Sequence, residues 1–264
     1  MMEKNVSVRG DTMEICYLGT GADDWVPEEG EKNGEYRRRS AATLDGVLSI
    51  DLPSTTPLEP LALVREVLYT HSHRDHFDLP LLSRLASDRP LTVYMETSFA
   101  ARVAGEMPAA VTVRGIVPGE TFKTETGYRV TALAANHRVA AHPEEQPLAY
   151  VIERGDCRIF WGGDGAWLRC DTWARLRGFP PFDRMVLDGT LWEKPGDGRI
   201  FEHNHLGMVR EMVATFRREG LIQPNGKIIL THFSRDSQYP RAELERQVAE
   251  MGLFAAYDGL IDRF

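Results

Sequence analysis

One short segment limits what this chain can fold into more than any other part of the sequence. It places His71, His73, Asp75 and His76 directly after a short β-like run at residues 66–69. Imidazole and carboxylate groups are suitable ligands for zinc, manganese or iron. A surface loop rich in histidine is the alternative, but so dense a cluster is rarely core packing. A loop that turns sharply after a strand can direct residues 71 and 73 one way and residues 75 and 76 another, so one segment could bind two metal ions.

Three further candidate ligands, His137, Asp164 and His232, each follow a predicted strand. These strands end at residues 134, 161 and 230. Rigid scaffolds commonly present functional groups in loops of this kind. Taken singly, the three residues have structural explanations, as a loop residue, a turn former and a helix-capping group, respectively. Their recurrence at strand ends, together with the histidine cluster, predicts a metal centre.

The hydrophobic pattern predicts strands in the first quarter of the chain and a mixture of strands and helices after it. The predicted strands cover residues 12–18, 41–44, 47–52, 66–69, 91–95, 111–117, 128–134, 149–153, 158–161, 185–187 and 227–230. The predicted helices cover residues 79–86, 97–104, 166–177, 206–219 and 241–251. The pairs Asp45-Gly46 and Gly155-Asp156 are typical of tight hairpins. This order favours two sheets with helices outside them, a layered α/β architecture, in a single domain over residues 1–264.

The composition is that of a folded protein with an acidic balance. The 264 residues include 39 Asp and Glu against 31 Lys and Arg, a formal net charge of −8, and 42% of the residues are hydrophobic. This apolar content excludes disorder as the main state. The acidic balance argues against a protein that binds nucleic acid by neutralising phosphates, but it leaves room for a small anionic substrate.

The sequence predicts a cytoplasmic protein without a membrane span. The longest apolar run, residues 253–257, has five residues, whereas a membrane helix needs roughly 20. The first ten residues contain no apolar stretch of the kind that a secretory signal carries. Three scattered cysteines are too few for a disulfide framework or a cysteine-only zinc site.

The candidate ligands, taken in chain order, resemble the full ligand set of the metallo-β-lactamase-fold hydrolases. The resemblance implies an α/β (α+β) fold, a four-layer αββα sandwich with two divalent metal ions at one edge of the sheets. The ions would be zinc or manganese, with iron as a third candidate. The residues that it assigns to one ion are His71, His73 and His137. Those that it assigns to the other are Asp75, His76 and His232, with Asp164 bridging the two ions.

A narrower likeness concerns the phosphodiesterase branch of this superfamily. Residues 18–22, 36–40 and 187–190, together with His205 before a predicted helix, resemble the PhnP-type cyclic phosphodiesterases and, more distantly, the tRNA 3′-processing nucleases. The PhnP-type enzymes carry a cysteine-rich zinc loop between the first strand and the segment that corresponds to residues 36–40. Residues 23–35 contain no cysteine here, so we expect this third metal to be absent.

The narrower likeness implies a dinuclear phosphodiesterase that hydrolyses a small cyclic or nucleotide-like phosphodiester by attack of metal-bound hydroxide. Two metal ions would stabilise hydroxide near neutral pH and neutralise charge on the phosphoryl oxygens. The partner would be a small phosphorylated substrate, and a homodimer is left open. Two other functions remain: a lactonase or thioesterase of the same fold, or a non-catalytic, metal-dependent binder of a phosphorylated ligand.

Two more histidines are candidates for the substrate site. His203 and His205 precede a helix predicted to begin near Leu206, with Asn204 as its N-cap. Because a helix N-terminus favours anions, His205 is predicted to bind phosphate and to act as a catalytic residue with Asp75. His203 is the second substrate-binding candidate. For the run of three arginines at residues 37–39, a structural or surface role is favoured over phosphate binding.

Overall fold

The computed structural model describes residues 12–194, 196–237 and 239–264. Its strands, in chain order, are β1 (Glu14–Gly19), β2 (Ala41–Leu44), β3 (Leu48–Ile50), β4 (Glu66–Leu68), β5 (Leu91–Glu96), β6 (Val111–Ile116), β7 (Thr121–Lys123), β8 (Arg129–Ala134), β9 (Leu148–Arg154), β10 (Cys157–Gly162), β11 (Phe182–Asp188), β12 (Ile222–Thr231), β13 (Phe254–Ala255) and β14 (Ile261–Arg263). Its α-helices are α1 (Leu79–Ala86), α2 (Thr97–Val103), α3 (Cys170–Leu176), α4 (Leu206–Arg218) and α5 (Arg241–Glu250).

The strands form two seven-stranded sheets. The first has the order β14-β1-β2-β3-β4-β5-β6, and the second has the order β13-β12-β11-β10-β9-β8-β7. In each sheet an antiparallel part continues into a parallel part, which runs from β3 to β6 in the first sheet and from β10 to β13 in the second. The carboxyl ends of parallel strands meet at one sheet edge, and that edge is where the candidate ligands follow β4, β10 and β12.

The sheets pack face to face and carry helices on their outer faces. Tyr17 and Tyr94 from the first sheet share one buried cluster with Tyr150 and Trp161 from the second. A second cluster buries one face of α1 and α2 against the first sheet. A third joins α3, α4 and α5 to the second sheet. This is the αββα arrangement, so the predicted fold class is confirmed.

Most predicted elements are present, with shifted bounds. Asp45 and Gly46 adopt φ values of 50° and 68°, the left-handed values that a tight hairpin requires. The helix predicted over residues 166–177 is shorter, Cys170–Leu176, and the strand predicted over 227–230 is longer, Ile222–Thr231. The sequence analysis did not predict the strands β7, β13 and β14, which have three, two and three residues. The first ten residues, on which the prediction of no secretory signal rests, lie outside the described residues.

None of the helices within the described ranges, residues 12–194, 196–237 and 239–264, has the length and apolar character needed to cross a membrane.

Candidate metal centre

The structure brings together all seven candidate ligands at the carboxyl edge of the two sheets. Their donor atoms fall into groups within which all atoms lie within 4.8 Å of one another. The first group is His71, His73, His137 and Asp164, and the second is Asp75, His76 and His232. These two groups correspond to the two metal sites that the family resemblance implies. A third overlapping group consists of Asp164, Asp188, His203 and His232.

The first group is held by short contacts between ring nitrogens. His73 Nδ1 lies 3.0 Å from His71 Nε2 and 3.2 Å from His137 Nε2. Asp164 completes the group, with Oδ2 3.4 Å from His71 Nε2 and Oδ1 3.5 Å from His137 Nδ1. Three imidazoles and one carboxylate therefore converge on one point.

The second group lies on the other side of Asp164. His76 Nε2 and His232 Nε2 are 3.3 Å apart, and Asp75 Oδ2 is 3.5 Å from the first and 3.4 Å from the second. Asp164 Oδ2 is 3.2 Å from His76 Nε2 and 3.5 Å from His232 Nε2. Asp164 therefore contacts both groups, as expected for the bridging role that the resemblance implies for it.

The chemistry of these donors fits bound divalent cations. Asp164 Oδ1 is buried, and among the described residues no hydrogen bond of good geometry reaches it, although His203 Nδ1 lies 3.1 Å away. The imidazole nitrogens face one another, although a neutral ring has only one N–H to donate. A cation would satisfy these lone pairs together, and the mixed nitrogen and oxygen set suits zinc, manganese or iron.

The electrostatics of the site favour metal-binding protonation states at His71 and Asp164. At His76 and His232 burial lowers the pKa, but the neighbouring carboxylates outweigh it and raise the pKa of both rings, so a cation bound there would displace a proton. Burial and the neighbouring imidazoles of His76 and His137 hold the pKa of His71 well below its ordinary value, so this ring is neutral. Burial alone would raise the pKa of Asp164, but the histidines around it, including His137 and His232, hold that pKa well below its ordinary value. A neutral imidazole and an ionised carboxylate are the forms that bind a cation.

Asp51 orients the second group, and the sequence analysis missed it. It follows β3 with a φ of 58° and is buried. Its Oδ2 lies 2.8 Å from His76 Nδ1 and accepts a hydrogen bond from Thr70 Oγ1 at 2.8 Å. A carboxylate on the far nitrogen fixes the orientation of a ligating imidazole. The available signal was an aspartate directly after a buried strand.

Asp188 orients His203 within the third group, as Asp51 orients His76. This fully buried residue ends β11, and its Oδ2 lies 2.9 Å from His203 Nδ1 and 2.8 Å from Thr190 Oγ1. Thr190 Oγ1 is in turn 2.8 Å from His232 Nδ1. The segment 187–190 was noted in the sequence only as part of a family likeness, without a role for its aspartate.

The structure places His203 at the site and His205 away from it, although the sequence had favoured His205. His203 lies at the site, with Nδ1 3.1 Å from Asp164 Oδ1. His205 does not join the cluster, because it is the N-cap of α4 and its Nδ1 accepts a hydrogen bond from Gly207 N at 3.1 Å. The prediction of Asn204 as N-cap is therefore wrong. Asn204 is buried, and its backbone N–H donates to Asp188 Oδ1 at 3.1 Å.

A cavity of about 750 Å³ opens onto the cluster. The cluster residues in its lining are His73, Asp75, His137, Asp164, His203 and His232. Arg74, Arg199 and Arg235 also line it, but each already pairs with a carboxylate, on Asp23 at 2.7 Å, Asp197 at 2.7 Å and Glu29 at 3.1 Å, respectively. As far as the described residues line it, the cavity is therefore polar and has no uncompensated basic patch.

The arginines at residues 37–39 have structural roles, as favoured from the sequence. Arg37 is buried and donates to Thr20 Oγ1 at 2.8 Å and to the carbonyl of Ala256 at 3.0 Å. Arg38 Nε donates to a β1 carbonyl at 2.7 Å, and Arg39 pairs with Asp23 at 2.9 Å.

The family model described as the beta-lactamase superfamily domain matches residues 43–233, which include all seven candidate ligands. The chain belongs to the beta-lactamase superfamily. This match confirms the superfamily and the hydrolase class that the sequence predicted. A comparison with curated protein sequences gave no match.

Solved structures of similar fold agree with this superfamily. A diphosphatase of the PhnP family is 20% identical, covers 96% of this chain and 98% of its own, and has a TM-score of 0.69. The short form of human tRNase Z is 18% identical, with coverage of 94% and 98% and a TM-score of 0.66. Zinc-bound PqqB from Methylobacterium extorquens is 22% identical, with coverage of 94% and 99% and a TM-score of 0.64. At these identities, the likeness is one of fold.

Proposed function

We propose that the protein is a dinuclear metal-dependent phosphodiesterase for small, singly charged phosphodiesters. The observation that carries this proposal is the pair of donor groups that share Asp164 beside the cavity. His71, His73 and His137 would hold one ion, and Asp75, His76 and His232 the other. Two divalent ions would supply Lewis-acid stabilisation of phosphoryl oxygens and would lower the pKa of a water molecule.

His203 is the residue that we assign to the leaving group. Its side chain is 14% exposed and lines the cavity, and Asp188 fixes one ring nitrogen through a contact of 2.9 Å. A histidine oriented in this way can hold a proton for a departing alkoxide, as general acids do in other hydrolases. His205 lacks this placement because its ring nitrogen is used in the cap of α4.

The charges around the cavity favour a small substrate over a polyanion. The three lining arginines are paired, so none is left to neutralise a chain of phosphates. Carboxylates from Asp23, Asp24, Glu29, Glu202 and Asp236 also line the cavity. A single phosphodiester adds one negative charge, which two divalent cations can balance. A diphosphatase and a tRNase among the structural neighbours support chemistry at phosphorus.

A substrate panel tests this function. The protein, loaded with Zn²⁺ or Mn²⁺, is assayed with bis(p-nitrophenyl) phosphate, p-nitrophenyl phosphate, a 2′,3′-cyclic nucleotide, a lactone and a thioester. We expect the diesters to be cleaved and the monoester to be cleaved much more slowly. Asp164→Ala is the control, and it should depress both metal content and diester turnover. Lactone or thioester turnover far above diester turnover would replace the phosphodiesterase assignment with carbonyl hydrolysis.

A further inference from the structure

A buried carboxylate outside the cluster connects two of its loops. Glu145 lies between β8 and β9, on the same segment as His137, and its side chain is 0% exposed. Its Oε1 accepts a hydrogen bond from the backbone N–H of Ser72 at 2.7 Å, and its Oε2 accepts one from Ser72 Oγ at 2.6 Å. Arg102 on α2 donates to the same Oε2 at 2.5 Å and to Ser72 Oγ at 2.8 Å.

The position of Ser72 gives this contact its importance. Ser72 stands between His71 and His73, so a carboxylate that holds both its backbone N–H and its hydroxyl constrains the peptide units that carry the two imidazoles. The segment that supplies Glu145 also supplies His137. Glu145 therefore joins the two loops that provide all three histidines of the first donor group.

The segment around Glu145 is itself fixed to the sheet. Gln146 Nε2 donates to the carbonyls of Ala135 at 2.9 Å and Pro147 at 3.0 Å, which closes the loop at its base. Leu148 N donates to the carbonyl of Thr70 at 2.8 Å, directly before the histidine cluster. A carboxylate placed on this closed loop can hold its partner loop at a fixed distance.

We propose that Glu145 is a positioning residue for the first metal group: it sets the separation of His71, His73 and His137 and thereby the affinity of that group for a metal ion. The proposal rests on the proposed function, because it takes these histidines as metal ligands. A buried carboxylate is costly unless donors satisfy it, and the donors from Ser72 and Arg102 satisfy Glu145. Glutamine has nearly the same volume, but one of its two terminal groups is an NH2 donor. This group cannot accept a hydrogen bond from the N–H or the hydroxyl of Ser72.

Zinc titration of metal-free protein tests the proposal without any substrate. Zn²⁺ affinities are measured by competition with a chromophoric chelator for the wild type, Glu145→Gln and Glu144→Gln. Glu144 is the matched control, because it is 56% exposed and approaches the same Arg102 at 3.6 Å. We expect Glu145→Gln to weaken one of two zinc sites about 10–100-fold. The other site, and both sites of Glu144→Gln, should keep the wild-type affinity.

Unfolding temperature of the metal-free protein separates positioning from general stability. If both zinc sites of Glu145→Gln weaken equally and the metal-free protein melts much earlier, Glu145 supports the fold only, and the proposal fails. Unchanged affinity at both sites also overturns it. Ser72→Ala is the second variant, and it carries the test if Glu145→Gln does not fold. It removes the hydrogen bond from the Ser72 hydroxyl to Glu145 but keeps the one from the Ser72 backbone N–H, so it should weaken the same site by a smaller factor.

The two proposals fail in different ways. Wild-type protein that binds two zinc ions but cleaves no diester contradicts the phosphodiesterase function and leaves the role of Glu145 intact. Wild-type protein that cleaves diesters while Glu145→Gln binds zinc normally contradicts the positioning role alone.

Discussion

Four carboxylates that we do not assign as metal ligands hold the loops that carry the ligands. Asp51 contacts His76, Asp188 contacts His203, and Glu145 holds the peptide next to His71. Asp24 accepts hydrogen bonds from Ser234 Oγ at 2.5 Å and from the following backbone N–H at 2.9 Å, in the loop after β12. Each of these contacts ties a loop at the site to a second element, which is the kind of support that a precisely placed set of donor groups needs.

The exchange of His203 and His205 gives a prediction at the residue scale. His203→Ala should lower kcat for diesters with poor leaving groups by about 10²–10⁴-fold, because acid catalysis by a positioned side chain has this magnitude. The loss should be smaller for p-nitrophenyl esters, whose leaving group needs little protonation. Metal content should stay at the wild-type value, and steady-state kinetics with metal analysis measure both.

His205→Ala is the matched control for His203→Ala. It removes the N-cap of α4, which costs about 0.5–2 kcal/mol of unfolding free energy, and it should leave kcat close to the wild-type value. A large kcat loss for His205→Ala with a normal His203→Ala would show that the roles are the reverse of those we assign.

Residue identity alone predicted the candidate ligands that the structure brings together, but not the residues that orient them. The histidines and aspartates at strand ends could be recognised in the sequence because only a few residue types bind metal ions. Asp51 and Glu145 act through contacts with residues 25 and 73 positions away in the chain. Glu145 stands in a polar turn next to a second glutamate, and no local pattern distinguishes the buried one from the exposed one.

At the scale of elements, local periodicity predicted the five helices and eleven of the strands, including the three-residue β3 and β4, and missed β7, β13 and β14. β13 and β14 have two and three residues, and they exist because β12 and β1 offer them an edge to pair with. Such pairing depends on tertiary contact rather than on local sequence. The cap of α4 was missed because a histidine, rather than the neighbouring asparagine, accepts the hydrogen bond.

Gly19 at the end of β1 gives a prediction at this scale. A Cβ at this position would lie 2.0 Å from the carbonyl oxygen of Arg39, which is backbone and cannot move aside. We expect Gly19→Ala to lower the free energy of unfolding by about 1–3 kcal/mol, which is the typical cost of overpacking. Gly105→Ala is the control, since nothing lies within 4 Å of its Cβ. Equal denaturation midpoints for the two variants would contradict this account of the close approach.

At the scale of the whole molecule, one ionic cluster joins the two sheets away from the metal site. Asp262 on β14 of the first sheet accepts hydrogen bonds from Arg184 on β11, at 3.1 Å for Nη2, and from Lys227 on β12, at 2.9 Å. Asp262 and Arg184 are both buried. Although burial raises it, hydrogen bonds from the two cations hold the pKa of Asp262 below its ordinary value.

The lowered pKa of Asp262 sets the direction of a pH effect on stability. The folded-state pKa lies below the unfolded value, so the carboxylate contributes stability above about pH 4 and loses it as the pH falls through the folded pKa. Asp262→Asn should destabilise the protein by roughly 3 kcal/mol at pH 7, because it leaves a buried cation unpaired. The difference from wild type should narrow in acid. Urea unfolding at several pH values measures it.

Glu14→Gln provides the control for Asp262→Asn. It breaks the pair between Glu14 on β1 and Arg263 on β14. Arg263 is 73% exposed, and exposed pairs contribute only about 0–1 kcal/mol. A loss for Asp262→Asn no larger than for Glu14→Gln would show that the buried cluster does not connect the sheets energetically.

The most direct test of the central claim is to follow diester hydrolysis while metal is added to metal-free protein. Bis(p-nitrophenyl) phosphate turnover is recorded against the molar equivalents of Zn²⁺ or Mn²⁺, with metal content determined on the same samples. Because two donor groups share Asp164, we predict that turnover reaches its plateau at two equivalents. A plateau at one equivalent, or no diester turnover with two ions bound, would contradict a dinuclear phosphodiesterase.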